Sequence, residues 1–377
     1  MIYKNAKIIR PDETIINGFI EIDNGKITNI GSNYHGDNGI DLEGKSILPG
    51  FIDFHIHGSN GSDVMDCTHE SLETMVVNLP SDGTTSFLAT TLTMELYVIK
   101  NAIKNIVDYK SDKLGANLIG IHLEGPFINN KFKGAQNEKY LLEPSVDIME
   151  ELLAIASGRV KAMTYAVEKA DLNFTRYLKE NNIVPSVGHS SATMSEVLEH
   201  SKVGLSNITH MHNGQSPHHH RNPGVVSAGL FSDDIYSELI VDGVHLHPDT
   251  VRLVLKVKGR DKILLISDSM MAKGLENGIY SLGGLEVAKN DTEVRTESGS
   301  LAGSILKLNV AVKNMIEFTG CSLNDISVMT SLNQAKLLGL DDFLGKVEKG
   351  YNADLVILDD DYSIYKTICN GIEVYSK

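Results

Sequence analysis

His55 and His57 stand two residues apart in Pro49-Gly50-Phe51-Ile52-Asp53-Phe54-His55-Ile56-His57-Gly58. Residues i and i+2 of a strand share a face, so both imidazoles can enter one site from one strand end. Neutral imidazole is a common ligand of zinc and iron. Glu124 closes an apolar run in His122-Leu123-Glu124-Gly125-Pro126. An ionised carboxylate in so dry a place needs a cation beside it. His122, one strand period back and deeper, is expected to be packed or to support a ligand rather than to be one. His189 closes Pro185-Ser186-Val187-Gly188-His189, and His210 closes Asn207-Ile208-Thr209-His210. With Glu124 they make a set of two histidines and one carboxylate, which leaves room for water on a catalytic metal. Asp268 ends Leu264-Leu265-Ile266-Ser267-Asp268. A carboxylate there could take a proton from water and later return it to a leaving group. The run His218-His219-His220 reads as a solvated loop, with substrate contact as the other option.

These residues need elements to carry them. Apolar β-branched runs alternate with helical stretches such as Glu70–Leu79 and Ser195–His200, the pattern of βα units. Eight strands are predicted: Ile47–His57, Thr84–Thr91, Leu118–Glu124, Val160–Glu168, Val184–His189, Leu205–His210, Ser237–Asp242 and Ile263–Asp268. Eight units in this length match a (β/α)8 TIM-like barrel, whose active sites lie at the C-terminal strand ends. His57, Glu124, His189, His210, Asp242 and Asp268, all metal-ligand types, end six of the strands. The rival is an open doubly wound sheet, and no GxGxxG follows any strand to support its dinucleotide-binding form. Both chain ends read as short strands. Asn24-Gly25 and Asn370-Gly371 supply hairpin turns. The expected organisation is therefore a small β-sandwich domain from residues 1–46 and 345–377, around a barrel at 47–344. Residues 271–304 read either as a lid or as a plain β insertion.

Composition bounds the function. The chain has 377 residues, 34 Lys+Arg and 49 Asp+Glu, a net charge of −15. Hydrophobic residues at 42% and charged residues at 22% fit a globular protein with a large core. The negative charge and the absence of a Lys/Arg cluster argue against a nucleic-acid partner. No apolar run is long enough to span a bilayer and no signal core opens the chain, so no membrane partner and a cytoplasmic location are expected. Cys67, Cys321 and Cys369 form no CxxC pair, which argues against a disulfide framework or a thiolate zinc site.

The ordered set PGFIDFHIHG, HLEGP, GHS, THMHN, DGVH and SDSM resembles the amidohydrolase superfamily, and within it the deacetylases of N-acetylglucosamine 6-phosphate. The resemblance runs over nearly the whole chain, including the tail Gly345–Val356. It implies hydrolysis of an N-acetyl group from a phosphorylated amino sugar, by a homodimer carrying one or two divalent ions per subunit, Zn2+ or Fe2+. It assigns Glu124, His189 and His210 as principal metal ligands, His55 and His57 as a pair for a second metal, and Asp268 as the acid/base. Ala135, Asn213, Gly214, Arg221, His245, Leu301, Ala302 and Gly303 match substrate-contacting positions. Arg221 and His245 would hold the sugar phosphate, with some contacts crossing the dimer interface. The chain departs from the family pattern at Met211-His212-Asn213-Gly214 and at Ser269–Gly274. These segments leave the sugar open, so an N-acetylgalactosamine 6-phosphate deacetylase is the alternative. A non-catalytic barrel that binds a partner is the alternative of another class.

Overall fold

The computed structural model describes residues 1–377. Eight parallel strands follow one another in chain order: Phe51–Ile56 (β1), Thr84–Thr91 (β2), Asn117–Glu124 (β3), Val160–Tyr165 (β4), Val184–Val187 (β5), Asn207–Ile208 (β6), Tyr236–Leu239 (β7) and Ile263–Leu265 (β8). The ring closes beyond the ladders. Asp268 N donates to the His55 carbonyl at 2.9 Å, and His57 N donates to the Ser269 carbonyl at 2.9 Å. Buried Asp53 ties the same seam, accepting from Ser267 Oγ at 2.6 Å. The result is the TIM-like barrel that the alternating pattern predicts. Its helices pack by ordinary amphipathic spacing: Leu96–Asp108 buries Ile99, Ala102, Ile103 and Ile106, one apolar stripe along the helix.

The two chain ends build a second sheet, in the order Ile372–Ser376, Ile364–Cys369, Leu355–Leu358, Ser46–Pro49, Ile2–Ile9, Thr14–Asp23, Lys26–Ser32, with Ile40–Asp41 beside Ile2–Ile9. It has its own buried cluster, including Tyr3, Ile20, Ile27, Ile47 and Ile357. The hairpin turns fall at Asn24-Gly25 and Asn370-Gly371, all four at positive φ, as two-residue turns of this kind require. No helix is long and apolar enough to cross a membrane.

The strand predicted over Ile47–His57 is two strands. Ser46–Pro49 pairs with Ile2–Ile9 and Leu355–Leu358, while Phe51–Ile56 joins the barrel. Pro49 has no N–H to donate, and a Cβ at Gly50 would lie 2.1 Å from Thr85 Oγ1, so the chain changes sheets at the one residue small enough to pass. Strands β4 to β8 also stop short of their predicted ends. The cause is visible at three of them: His189, His210 and Asp268 take φ of 47°, 29° and 49°, a left-handed backbone that cannot continue a strand. Residues 271–304 form an antiparallel insertion, Gly278–Leu282, Leu285–Lys289 and Val294–Thr296. Leu282, Val287 and Val294 pack there with Leu92, Met270 and Ala302.

Candidate metal centre

The predicted ligands converge. Glu124 Oε1 lies 3.1 Å from His189 Nε2 and 3.1 Å from His210 Nε2, and the two nitrogens are 3.1 Å apart. His55 and His57 approach from the other side. Their Nε2 atoms are 3.2 Å apart, and His57 Nε2 lies 3.3 Å from Glu124 Oε2. Glu124 is thus common to two triads. All five side chains are buried.

Each imidazole is held by its other nitrogen. His189 Nδ1–H donates to the Phe132 carbonyl at 2.8 Å, His210 Nδ1–H to the Asn213 carbonyl at 3.0 Å, His57 Nδ1–H to the Thr90 carbonyl at 3.2 Å and His55 Nδ1–H to Glu238 Oε2 at 3.0 Å. These acceptors fix the tautomer, so every Nε2 turns a lone pair inward. Lone pairs facing one another and a carboxylate repel unless a cation lies among them. A tetrahedral shell with bonds of about 2.0–2.2 Å sets its ligand atoms about 3.3–3.6 Å apart, a few tenths of an ångström wider than the Glu124–His189–His210 triangle. The donor set therefore fits a divalent cation, and its nitrogen and oxygen ligands suit zinc or iron.

Without a cation the carboxylates draw positive charge onto the rings themselves. Burial opposes charge on His55, His57 and His210, yet the carboxylates of Glu124, Asp268 and Glu238 outweigh it. His55 is raised, His57 is raised well above the ordinary imidazole value, and His210 is pushed up to about 9. Burial would raise Glu124, but His55, His189 and His210 hold it well below the usual carboxylate range. Burial would raise Asp268 too, and His55 and His57 bring it to about 2, so it stands as a base. Asp268 Oδ1 lies 3.2 Å from His57 Nε2 and 3.4 Å from His55 Nε2. His122 is packed below the site, as expected. Its Nε2 meets Thr164 Oγ1 at 2.7 Å, and burial drives its pKa well down, so it stays neutral.

A cavity of about 390 Å³ opens over the centre. Ala135, Asn213, Gly214, His245, Leu301 and Gly303 line it together with His57, Glu124, His189, His210 and Asp268. Gly214 must be glycine: at φ 58° a Cβ would lie 2.9 Å from His189 Nδ1. His245 Nδ1 pairs with Asp242 Oδ2 at 2.6 Å. Two predicted contact residues fall elsewhere. Ala302 is buried behind the wall, and Arg221 is exposed on the loop with His218, His219 and His220, outside the cavity. Three neighbours escaped the sequence reading. Gln136 donates to Glu124 Oε2 at 2.5 Å. Glu238 orients His55 and accepts from Asn207 Nδ2 at 2.6 Å and from His210 N at 3.1 Å. Arg295 lines the cavity from the insertion, held to Glu293 through Nε at 2.8 Å and Nη2 at 2.6 Å. Only Glu238 carried a signal, a lone carboxylate inside a short barrel strand.

Residues 46–374 match the family described as Amidohydrolase family. The chain belongs to this family. Among amidohydrolases it is 42% identical over 381 residues to the N-acetylglucosamine-6-phosphate deacetylase of Bacillus subtilis (strain 168), covering 98% of this chain and 96% of that one. It is 36% identical over 327 residues to the N-acetylgalactosamine-6-phosphate deacetylase of Escherichia coli O157:H7, covering 86% of each. The solved structure of the Thermotoga maritima N-acetylglucosamine-6-phosphate deacetylase has a TM-score of 0.92 and 39% identity, with all of both chains covered. This amidohydrolase therefore carries a candidate divalent-metal centre at the C-terminal rim of its barrel, where the family's hydrolases do their chemistry.

Proposed function

We infer that the chain is a metal-dependent deacetylase that converts N-acetylglucosamine 6-phosphate to glucosamine 6-phosphate and acetate, in amino-sugar catabolism. The observation that carries this is the Glu124–His189–His210 triangle with Asp268 beside it, in a chain 42% identical to a relative named for that activity. Glu124, His189 and His210 would hold one divalent ion, zinc or iron, and His55 and His57 with Glu124 a second. Held by these residues, such an ion would supply polarisation of the acetyl carbonyl and a water pKa lowered towards ~7. Asp268, ionised and within the cavity, takes the proton of the attacking water on a carboxylate oxygen. It then delivers that proton to the amide nitrogen, which is a poor leaving group until protonated. Asn213, Gly214, Ala135, Leu301 and Gly303 shape the sugar's berth, with Ala302 backing it. His245, oriented by Asp242, faces the sugar phosphate.

We read the protein as a homodimer in which Arg221, exposed outside its own cavity, would reach the phosphate in a neighbouring subunit. A cytoplasmic location suits a phosphorylated substrate. The terminal sheet, with its separate cluster, is read as a small β-sandwich domain of residues 1–46 and 345–377 around the barrel at 47–344. A second reading exchanges the sugar for N-acetylgalactosamine 6-phosphate, favoured by the 36% identical relative of that name. Acetate release from paired gluco and galacto substrates, with and without the 6-phosphate and with metal quantified, tests both. Release from the phosphorylated gluco sugar supports the first reading, preference for its epimer the second. No release from either ends both.

A further inference from the structure

We infer that Gln136 is a positioning residue: its carboxamide fixes the rotation of the Glu124 carboxylate and so sets how tightly the two histidine pairs hold a cation. The inference rests on the metal reading above. Gln136 Nε2 donates to Glu124 Oε2 at 2.5 Å, and Thr93 N donates to Gln136 Oε1 at 2.8 Å. Because Oε1 must face the Thr93 N–H, the network itself determines which end of the amide meets Glu124. Gln136 is 5% exposed and Thr93 fully buried, so both bonds form out of water, where they are strong and costly to lose. Gln136 N also donates to the Lys133 carbonyl at 2.9 Å, closing the turn that lays Gly134 and Ala135 along the cavity wall.

The two oxygens of Glu124 face different partners. Oε1 lies 3.1 Å from the Nε2 atoms of both His189 and His210 and 3.5 Å from that of His55, and Oε2 lies 3.3 Å from that of His57. The terminal torsion of a glutamate is broad, so the strand alone does not choose which oxygen faces which imidazole. The Gln136 N–H makes that choice. A neutral amide is the right donor for it, since the ammonium of a lysine would set a positive charge beside the cation.

The test is zinc affinity of the full-length protein, measured by chelator competition. Gln136→Met keeps the side-chain length and removes the donor. It should weaken zinc binding by about 10–100-fold, the usual cost of losing a group that orients a metal ligand. Gln136→Met also leaves the buried Thr93 N–H without its acceptor, so its melting temperature should fall somewhat, and affinity is measured where every variant is folded. Gln136→His restores an N–H donor and should recover most of the affinity. Unchanged affinity in Gln136→Met overturns the inference. So does a loss that Gln136→His fails to recover. Wild-type protein that binds no zinc would instead end the metal reading on which this one depends.

Discussion

The two histidine pairs reach one carboxylate by different backbone means. His55 lies in β1 and His57 one residue past its end, so the pair keeps close to the two-residue period of a strand. His189 and His210 each sit one turn of chain past a strand, at φ 47° and 29°, conformations that non-glycine residues rarely adopt. Asp268 shares that habit at φ 49°. Left-handed residues gathered at one rim mark a place where local preference has yielded to the geometry of a site. One pair is therefore positioned by secondary structure, and the other by loops that the rest of the fold must hold down.

Removing what the pairs share gives the largest effect. Glu124→Gln takes the common anionic ligand from both triads, and turnover should fall by at least about 10³-fold together with metal content, because the water loses its activation. Metal retained at the wild-type level would show that the pairs do not depend on Glu124. Asp268→Asn leaves all five ligands in place. Metal content should hold while turnover drops by about 10²-fold or more, the usual contribution of a general acid/base. Turnover like the wild type would remove Asp268 from the mechanism. Comparing His210→Ala with His57→Ala then ranks the pairs. The 3.1 Å triangle around Glu124 Oε1 is the more compact set, so His210→Ala should lose about tenfold more turnover than His57→Ala. The reverse order would make the β1 pair the primary site.

That contrast explains what could be read in advance. The His-x-His pair follows from strand period alone, and the Asn-Gly turns of the terminal sheet from hairpin chemistry. The barrel was legible because each predicted strand is an apolar or β-branched run closed by a polar residue. The strand ends were not, since His189, His210 and Asp268 leave the strand through left-handed backbone, and hydrophobic pattern carries no trace of that. Gln136 was invisible for a different reason. An amide in a polar loop has no periodicity, and its contact with Glu124 exists only once the loop after β3 folds against Thr93. Arg221 shows the converse: its residue type suits a phosphate, yet its own chain leaves it outside the cavity.

Protons compete with a cation for the same Nε2 atoms. Although burial opposes it, Glu124 raises His210 to about 9 and, with Asp268, raises His57 well above the ordinary value. An imidazole with a raised pKa keeps its proton to higher pH, so cation affinity should climb as pH rises towards that range and fall below it. Chelator competition at about pH 6 and about pH 8 should show the tighter binding at the higher value, since ligation requires the neutral ring. Equal affinity at both would mean the rings are already neutral and the negative field of the carboxylates is screened.

The smallest effect isolates backbone from charge. Asn tolerates the left-handed region better than other non-glycine residues because its short polar side chain bonds locally, whereas Ala there brings its Cβ against the following carbonyl, at about 1 kcal/mol. Asp268→Asn and Asp268→Ala both remove the carboxylate, so both should lose turnover alike. Only Asp268→Ala should also unfold more easily, by about 1 kcal/mol in chemical denaturation. The seam would feel the change directly, because Asp268 N and the Asp268 carbonyl are bonded to His55 O and Ser304 N across the closing strands. Equal stability of the two variants would mean that the left-handed turn at this rim is held by those backbone bonds alone, with no share from the side chain.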